Sequence, residues 1–198
     1  MNKDLLEVRI YGDPVLRQKA AQIEQITPAI RALAERMTVT MYEHETRGIG
    51  LAAPQVGVSL RLVTLATVDD PAILPPNPSP GECLLCPRMP LALINPEILW
   101  RSAAADSCSE GCLSVPDIYA DVVRPTTVLL QTELMDGQKI SVECGGLLAR
   151  CLQHEIDHLN GTFFVDRVDA ETAGTIAPQL QKLEKIALKR LKKRQKQC

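Results

Sequence analysis

The spacing of apolar residues in the first third of the chain switches from a helical to an extended pattern. Apolar side chains recur at helical spacing over 27–47, where Thr27 followed by a proline is typical of a helix start, and Gly48 is predicted to end the helix. The segment 48–57 is so rich in glycine and other small residues that we predict a loop with little side-chain bulk. A continuous apolar run over 60–68 then predicts a strand.

The middle of the chain alternates like half-buried strands and leads into a strongly apolar helix. A strand pattern covers 91–99, and two alternating runs, 128–134 and 140–144, flank an Asp-Gly pair that predicts a hairpin. Residues 146–160 are apolar around most of a helical circumference, which predicts a buried helix capped by Gly161. We therefore predict an α+β fold in which mostly antiparallel strands surround a central buried helix, with N-terminal and C-terminal flanking helices.

Two segments depart from this pattern. Residues 69–90 hold seven of the fourteen prolines, from which we predict a proline-rich surface insertion with neither helix nor central strand. Between Lys182 and Cys198, eight basic residues and one acidic residue give a net charge of +7 beside an apolar stripe, so a basic C-terminal helix is predicted within 172–198. Because no repeat or second core pattern appears, residues 1–198 are expected to form one domain.

Composition and charge exclude several classes of protein. The 198 residues are 45% apolar but only 3% aromatic, which argues against a nucleic-acid platform of stacked aromatic rings. No apolar run approaches the roughly 18 residues of a membrane-spanning helix, and the N-terminus lacks the apolar core of a secretory signal. Seven cysteines are an odd number for a disulfide framework. We therefore expect a cytoplasmic protein with free thiols and no membrane partner.

The candidate chemistry lies on the predicted buried helix. In the run His154-Glu-Ile-Asp-His158, two imidazoles lie one turn apart on the same face, which is the spacing at which both reach a single metal ion. Glu155 is then placed beside a water bound to that ion. Surface histidines on an ordinary helix are the alternative, but this helix is too apolar for a surface position. The central buried helix is therefore predicted to bind a metal.

A catalytic metal site needs a third protein ligand, and the residues leave its identity open. The extended metallopeptidase pattern fails because Phe164 occupies the position of its third histidine. Downstream carboxylates such as Glu171 could serve, and so could Cys112, which lies upstream beside a glycine. A metallopeptidase that cleaves internal peptide bonds and a non-catalytic metal-binding protein remain alternatives at this point.

Three motifs taken together resemble the peptide deformylases. They are, in order, Gly48-Ile-Gly-Leu-Ala-Ala-Pro-Gln55, Glu110-Gly-Cys-Leu-Ser114 and Gln153-His-Glu-Ile-Asp-His158, and the run Gly12-Asp-Pro-Val-Leu-Arg17 is also similar to that family. The resemblance spans about residues 8–168. It implies an enzyme that removes the N-formyl group from the N-terminal formyl-methionine of newly made proteins.

The resemblance also implies a set of metal ligands and catalytic groups. Cys112, His154 and His158 would hold one divalent metal ion, with Fe2+ expected and Zn2+, Ni2+ or Co2+ compatible with the same donors. Metal-bound hydroxide would attack the formyl carbon while Glu155 accepts the proton and passes it to the departing amine. The side-chain amide of Gln55 and the backbone N–H of Leu113 would stabilise the oxyanion.

Substrate binding is assigned to small and apolar residues. Gly48 and Gly50 would let a peptide backbone approach as an added strand, which suits substrates of variable sequence. Tyr119 lies shortly after the second motif, where relatives often carry a basic residue, and either it replaces that contact to the substrate backbone or the contact is absent. Candidates for an apolar methionine pocket are Ile49, Leu147 and Cys151, with ordinary core packing an equal alternative for Leu147.

Several further residues have more than one interpretation. Cys83 and Cys86 have C-x-x-C spacing, so they could be a redox pair, two loop thiols, or half of a zinc site completed by Cys108 and Cys112. Glu110 is expected to fix the loop that bears Cys112. The basic C-terminal segment could bind ribosomal RNA through its phosphates, or it could be a solvated helix end.

Overall fold

The computed structural model describes residues 5–196, which form helices and strands in an α+β arrangement. The helices are α1 (Pro28–Glu43), α2 (Pro80–Leu85), α3 (Gly146–Leu159) and α4 (Ala170–Gln195). The strands are β1 (Gly50–Ala52), β2 (Leu62–Leu65), β3 (Leu91–Arg101), β4 (Ala105–Cys112), β5 (Val115–Pro125), β6 (Val128–Leu134) and β7 (Lys139–Cys144). Short 3-10 helices span Pro14–Arg17, Ala53–Val56, Cys86–Arg88 and Phe164–Asp166.

The strands form two antiparallel sheets. Five strands lie in the order β1-β2-β3-β6-β7, so β1 is at an edge, and β4 pairs with β5 in a separate two-stranded sheet. The predicted hairpin is β6 and β7, which pair from Val128 opposite Cys144 to Glu133 opposite Lys139. The predicted α+β class with mostly antiparallel strands is therefore confirmed.

Three apolar clusters hold these elements together. The first packs α3 against the five-stranded sheet, through residues such as Leu152 and Leu130. The second packs α1 against the same sheet, and Met37 and Met41 are fully buried there. The third joins β5 to α4 and to the chain that follows α3, and it includes Phe163. The apolar side chains of α3 belong to the first cluster, whereas those of β5 belong to the third.

Two predictions for the first third of the chain are wrong. Helix α1 begins after Thr27 as predicted, but it ends at Glu43, where the chain turns extended and folds back so that Gly48 N–H donates to the Met41 carbonyl at 3.0 Å. The predicted loop at 48–57 contains β1 and a 3-10 helix. Its small residues allow the strand to pack directly on α3, since a Cβ at Gly50 would lie 2.8 Å from the Cys151 sulfur.

The proline-rich segment 69–90 is not wholly a surface insertion without helix. It contains α2, which starts at Pro80, a position where the missing N–H costs no hydrogen bond. Ser79 and Glu82 form a reciprocal capping box at this start. Leu85 is fully buried in the first cluster, so the segment contributes to the core.

The two predicted helices of the second half are present. Helix α3 is buried along ten of its residues and ends at Leu159, and Gly161 follows with a left-handed φ of 74°. Helix α4 packs Ile176 and Ala187 into or beside the core. Residues 1–4, 197 and 198 of the predicted domain lie outside the described part. None of the helices between residues 5 and 196 combines the length and apolar character needed to cross a membrane.

Candidate metal centre and substrate cleft

The structure brings together the three predicted ligands from two elements. His154 and His158 lie one turn apart on α3, and Cys112 lies at the end of β4. One donor atom from each residue lies within 4.8 Å of the other two, and Cys112 Sγ is 3.1 Å from His158 Nε2. Three ligands at about 2.0–2.3 Å from one ion would be separated by about 3.3–3.8 Å. The spacing is therefore compatible with a shared metal.

The alternative ligand sets receive no support from the geometry. Within residues 5–196, the three-residue group of Cys112 and the two histidines is the one cluster of potential ligands found. Cys83 is exposed and Cys86 is buried, and neither belongs to that cluster, nor does the exposed Cys108. The proposed recruitment of Cys112 into a second zinc site therefore has no geometric basis.

The charges around the histidines also fit a cation. Burial alone would lower the pKa of His154, but hydrogen bonds with Cys112 and Glu110 raise this pKa to about 10, so the surroundings favour a positive charge, which a bound metal ion would supply in place of the proton. Burial and the neighbouring His154 hold the pKa of His158 well below its usual value, which keeps that ring neutral, as a ligand must be. A thiolate with two imidazoles suits a divalent transition metal. The residues present thus fit the metal that the sequence predicts.

A buried charge network surrounds His154. Glu110 Oε2 is 2.9 Å from His154 Nδ1, and both oxygens of Glu110 accept from Arg124, at 2.6 and 2.9 Å. Arg150 donates to Glu110 Oε1 at 2.8 Å, and Arg124 also reaches Asp157 at 2.8 Å. Burial alone would raise the pKa of the Glu110 carboxyl, but the bonds from Arg124 and His154 hold that pKa well below its usual range. Glu110 therefore contacts a predicted ligand directly.

The Glu155 carboxyl lies beside the cleft and is almost wholly buried. It is 4% exposed, and no hydrogen-bond partner for its Oε2 is found among the described residues. Burial raises the pKa of Glu155 to about 7. A carboxyl in this state is suited to accept and return a proton near neutral pH. Gly50 of β1 faces it so closely that a Cβ there would lie 2.9 Å from the Glu155 Cδ.

Gln55 is held in one orientation by the turn after β1. Its Oε1 accepts from the Ala52 N–H at 2.7 Å, which leaves Nε2 to donate to Ser114 Oγ at 3.2 Å and to Cys112 Sγ at 3.4 Å. Its amide therefore points toward the predicted ligands. Leu113 follows Cys112 and is 9% exposed, with its side chain in the second apolar cluster.

A cleft of about 290 Å³ opens above these groups. It is bordered on one side by β1 and the residues before it, and on the other by the end of β4 and by α3. Ile49 and Leu147 are 43% and 50% exposed, so core packing is excluded for Leu147, while Cys151 is buried at the base. The predicted residues that line the cleft are Gly48, Ile49, Gly50, Gln55, Cys112, Leu113, Tyr119, Leu147, Cys151, His154 and Glu155. His158 is 1% exposed and lies behind the lining.

Sequence reasoning missed the two arginines that hold Glu110. Arg124 is 2% exposed in β5, and Arg150 lies on α3 among apolar residues. An arginine inside a strongly apolar helix was a signal that it has a buried partner. Asp157 accepts from Arg124 and also from Arg167 at 2.6 Å.

Comparison with known proteins identifies the family. A family model for polypeptide deformylase matches residues 5–173. Peptide deformylase 2 of Gloeobacter violaceus is 48% identical over 178 residues, which cover 90% of this chain and 86% of that protein. A Synechococcus elongatus peptide deformylase in complex with actinonin is 37% identical, with a TM-score of 0.73, over 92% of this chain and 86% of that one. Arabidopsis thaliana peptide deformylase 1B with an inhibitor has a TM-score of 0.79 at 34% identity, covering 93% of each chain. The chain therefore belongs to the peptide deformylase family of enzymes.

Proposed function

We propose that this peptide deformylase hydrolyses the formamide of an N-terminal formyl-methionine through groups at the base of the cleft. The observation that carries the proposal is the convergence of Cys112, His154 and His158 within 4.8 Å, beside a cleft lined by the buried Glu155. Membership of the family establishes deformylation of nascent peptides as the general activity. The roles of individual residues below are the proposed part.

Cys112, His154 and His158 would hold one divalent metal ion, which makes α3 the metal-binding helix of the fold. We propose Fe2+, and Zn2+, Ni2+ and Co2+ suit the same sulfur and nitrogen donors. Such an ion supplies Lewis acidity toward water and toward the formyl oxygen. Glu110 accepts from His154 Nδ1, which leaves Nε2 of that ring available as the ligand.

Glu155 is proposed as the group that carries the proton. As water adds to the formyl carbon, the carboxylate accepts the proton that the water loses. The same proton then passes to the amine nitrogen when the C–N bond breaks, so that the products are formate and a free N-terminus. Burial of Glu155 supports this role, because the pKa of about 7 lets the group bind and release a proton at similar cost.

Gln55 and Leu113 are proposed to stabilise the charge that develops on the formyl oxygen. The Gln55 Nε2 proton that is directed at Cys112 Sγ can be redirected to an oxygen beside it. The backbone N–H of Leu113, next to Cys112, would be the second donor. Gln55 is only 1% exposed, so its donor does not have to be freed from solvent.

Substrate binding is proposed to use the free edge of β1 and the apolar part of the cleft. Gly50 begins the edge strand β1 and Gly48 lies two residues before it, and an extended peptide can pair with the backbone along this edge. Ile49, Leu147 and Cys151 would surround the methionine side chain. Tyr119 is 64% exposed and packs over Gly111, where it can contact the peptide backbone.

Two variants test these roles. Glu155→Gln is expected to keep its metal and to lose deformylation of formyl-Met-Ala-Ser by about three orders of magnitude or more, because the amide cannot accept a proton. Cys112→Ala is expected to lose the metal, as measured by metal analysis after gel filtration. Activity retained in Glu155→Gln would refute the proton role. Cleavage of internal peptide bonds by the parent, independent of Cys112, would instead favour a metallopeptidase.

Three broader expectations stay proposals. We propose that residues 1–198 act as one catalytic unit, which the packing of α4 on the third apolar cluster supports. We propose the cytoplasm as its location, since formylated nascent peptides arise at ribosomes. We also propose that the basic face of α4 associates with ribosomal RNA, because its lysines are exposed while Arg194 is engaged by Asp13 and Glu7.

A further inference from the structure

The proposed metal ligands come from parts of the molecule with separate apolar packing. The two histidines lie on α3, whose apolar side chains join the first cluster. Cys112 ends β4, and the sheet that β4 forms with β5 packs into the third cluster. The relative position of the cysteine and the histidines therefore depends on what joins α3 to that sheet.

Charged side chains make this joint at two places along α3, beside Gln153, which donates to the Pro125 carbonyl of β5 at 2.9 Å. Near the end of the helix, Asp157 accepts from Arg124 of β5 at 2.8 Å. Near its start, Arg150 donates to Glu110 of β4 at 2.8 Å. The two positions are about two helical turns apart, and His154 lies between them. Among the described residues, the other hydrogen bonds from α3 side chains to this sheet begin at Gln153, so the Arg150 bonds hold the part of the helix nearest its start.

Arg150 reaches both strands of the two-stranded sheet. Beside its bond to Glu110, it donates to the Val122 carbonyl of β5 at 3.0 Å and to the Asp106 carbonyl of β4 at 3.1 Å. It also pairs with the Asp106 carboxylate at 2.5 Å. The Arg150 side chain is 12% exposed and that of Glu110 is 5% exposed, so water screens the bond between them little, whereas the Asp106 side chain is 56% exposed. A forked guanidinium is suited to such simultaneous contacts, and a lysine ammonium is not.

We propose that Arg150 is a positioning residue that sets the sheet bearing Cys112 against the helix bearing His154 and His158. It acts through Glu110, whose other oxygen holds His154 Nδ1. The consequence is tighter retention of the metal, not a step of the reaction. This inference rests on the proposed ligand set but not on the assignment of Glu155 or of the substrate.

The test is metal binding by the full chain with Arg150→Met, which keeps an unbranched apolar side chain and removes the donors. Changes to groups that orient a metal ligand typically cost about 10- to 100-fold in affinity, and we expect a loss in that range for Co2+, measured by competition with a chelator. The absorption band of a cobalt-bound thiolate reports whether the Cys112 sulfur is still in place. Arg150→Lys should recover part of the affinity because it keeps the charge beside Glu110.

Arg167→Met is the matched control. Arg167 belongs to the same charge network and binds Asp157 at 2.6 and 2.5 Å, but no bond to Glu110 or to β4 is found for it in the described structure. We expect this variant to bind Co2+ within about threefold of the parent, and melting of the metal-free proteins shows whether each variant is folded. If Arg150→Met is unfolded, the comparison of Arg150→Lys with Arg167→Met gives the answer.

Each result has a distinct meaning. Weaker Co2+ binding by the Arg150 variants, with the Arg167 control unchanged, supports the inference. Equal Co2+ affinity in the parent and the folded Arg150 variants overturns it, and so does an equal loss in Arg150→Met and Arg167→Met. Failure of the parent to bind Co2+ through a thiolate would instead refute the proposed ligand set.

Discussion

Adding a single methyl group at Gly50 tests whether the position of the Glu155 carboxyl controls catalysis. Gly50 lies in β1 and faces α3, and a Cβ built there would lie 2.9 Å from Glu155 Cδ and closer still to its Oε1. It would also lie 2.8 Å from the Cys151 sulfur. Gly50→Ala therefore leaves the proposed metal ligands untouched while it displaces the proposed proton carrier.

The size of the effect follows from these distances. Carbon atoms in ordinary contact are about 3.5–4.0 Å apart, so the Glu155 carboxyl carbon has to retreat by roughly 0.6–1.1 Å, measured against that range. A misplacement of about 1 Å typically costs about 100-fold in rate, which corresponds to about 2.7 kcal/mol of transition-state stabilisation. We therefore expect kcat for formyl-Met-Ala-Ser to fall by about two orders of magnitude.

The assay compares kcat, KM and bound metal in Gly50→Ala and the parent. Gly174→Ala is the matched control, since a Cβ at Gly174 meets nothing within 4 Å. Gly50→Ala combined with Cys151→Ala removes the contact with sulfur and leaves the one with the carboxyl, so the double variant should stay slow. A folded, metal-loaded Gly50→Ala with kcat within threefold of the parent would refute the reasoning, and recovery in the double variant would assign the defect to the sulfur.

Two further predictions concern the lysines of α4 and the cysteines. The first variant replaces three exposed lysines, Lys189, Lys192 and Lys193, by glutamine. Salt-sensitive co-sedimentation with ribosomes should become weaker, and equal retention of variant and parent would contradict the proposed association. Iodoacetamide in a mildly alkaline buffer should alkylate the exposed Cys83 of the native protein but not Cys144, because burial raises the pKa of the Cys144 thiol to about 12. Mass spectrometry checks this, and equal modification of both thiols before unfolding would contradict the burial of Cys144.

Local patterns were sufficient for the elements that carry the histidines. The apolar circumference of 146–160 predicted α3 within one residue at its end, and the spacing of His154 and His158 predicted their common face. The alternation on each side of the Asp-Gly pair predicted β6 and β7 for the same reason, because hairpin pairing is set by neighbours in sequence. No local rule identifies Cys112 as a ligand. It was predicted to be one from the order of three motifs along the chain.

The sequence patterns gave wrong predictions where the conformation of a residue depends on what packs against it. The glycines of β1 indicated a loop because nothing in the sequence shows that α3 lies against Gly50. Prolines argued against a helix at 69–90, although Pro80 occupies the first helical position, where a proline is well tolerated, and Ser79 caps that start. In both cases the general preference of the residue type was correct, but it did not take into account the neighbours that determine the structure at that position.

The charge network around Glu110 is the clearest example of a feature that sequence alone could not assemble. Glu110, Arg124 and Arg150 are separated by 14 and 26 residues in order along the chain, and each could equally have been a surface charge. Glu110 and Arg124 are buried together, with Arg150 partly buried beside them. The pairing offsets the cost of burial, since a carboxylate or guanidinium buried alone would be strongly destabilising. The burial of these charges also bears on function. If the fold needed only to hold α3 on the sheet, apolar side chains could occupy the contact between them. Charged groups at this joint, with one carboxylate oxygen on His154, instead give the helix a defined angle and the imidazole a defined tautomer.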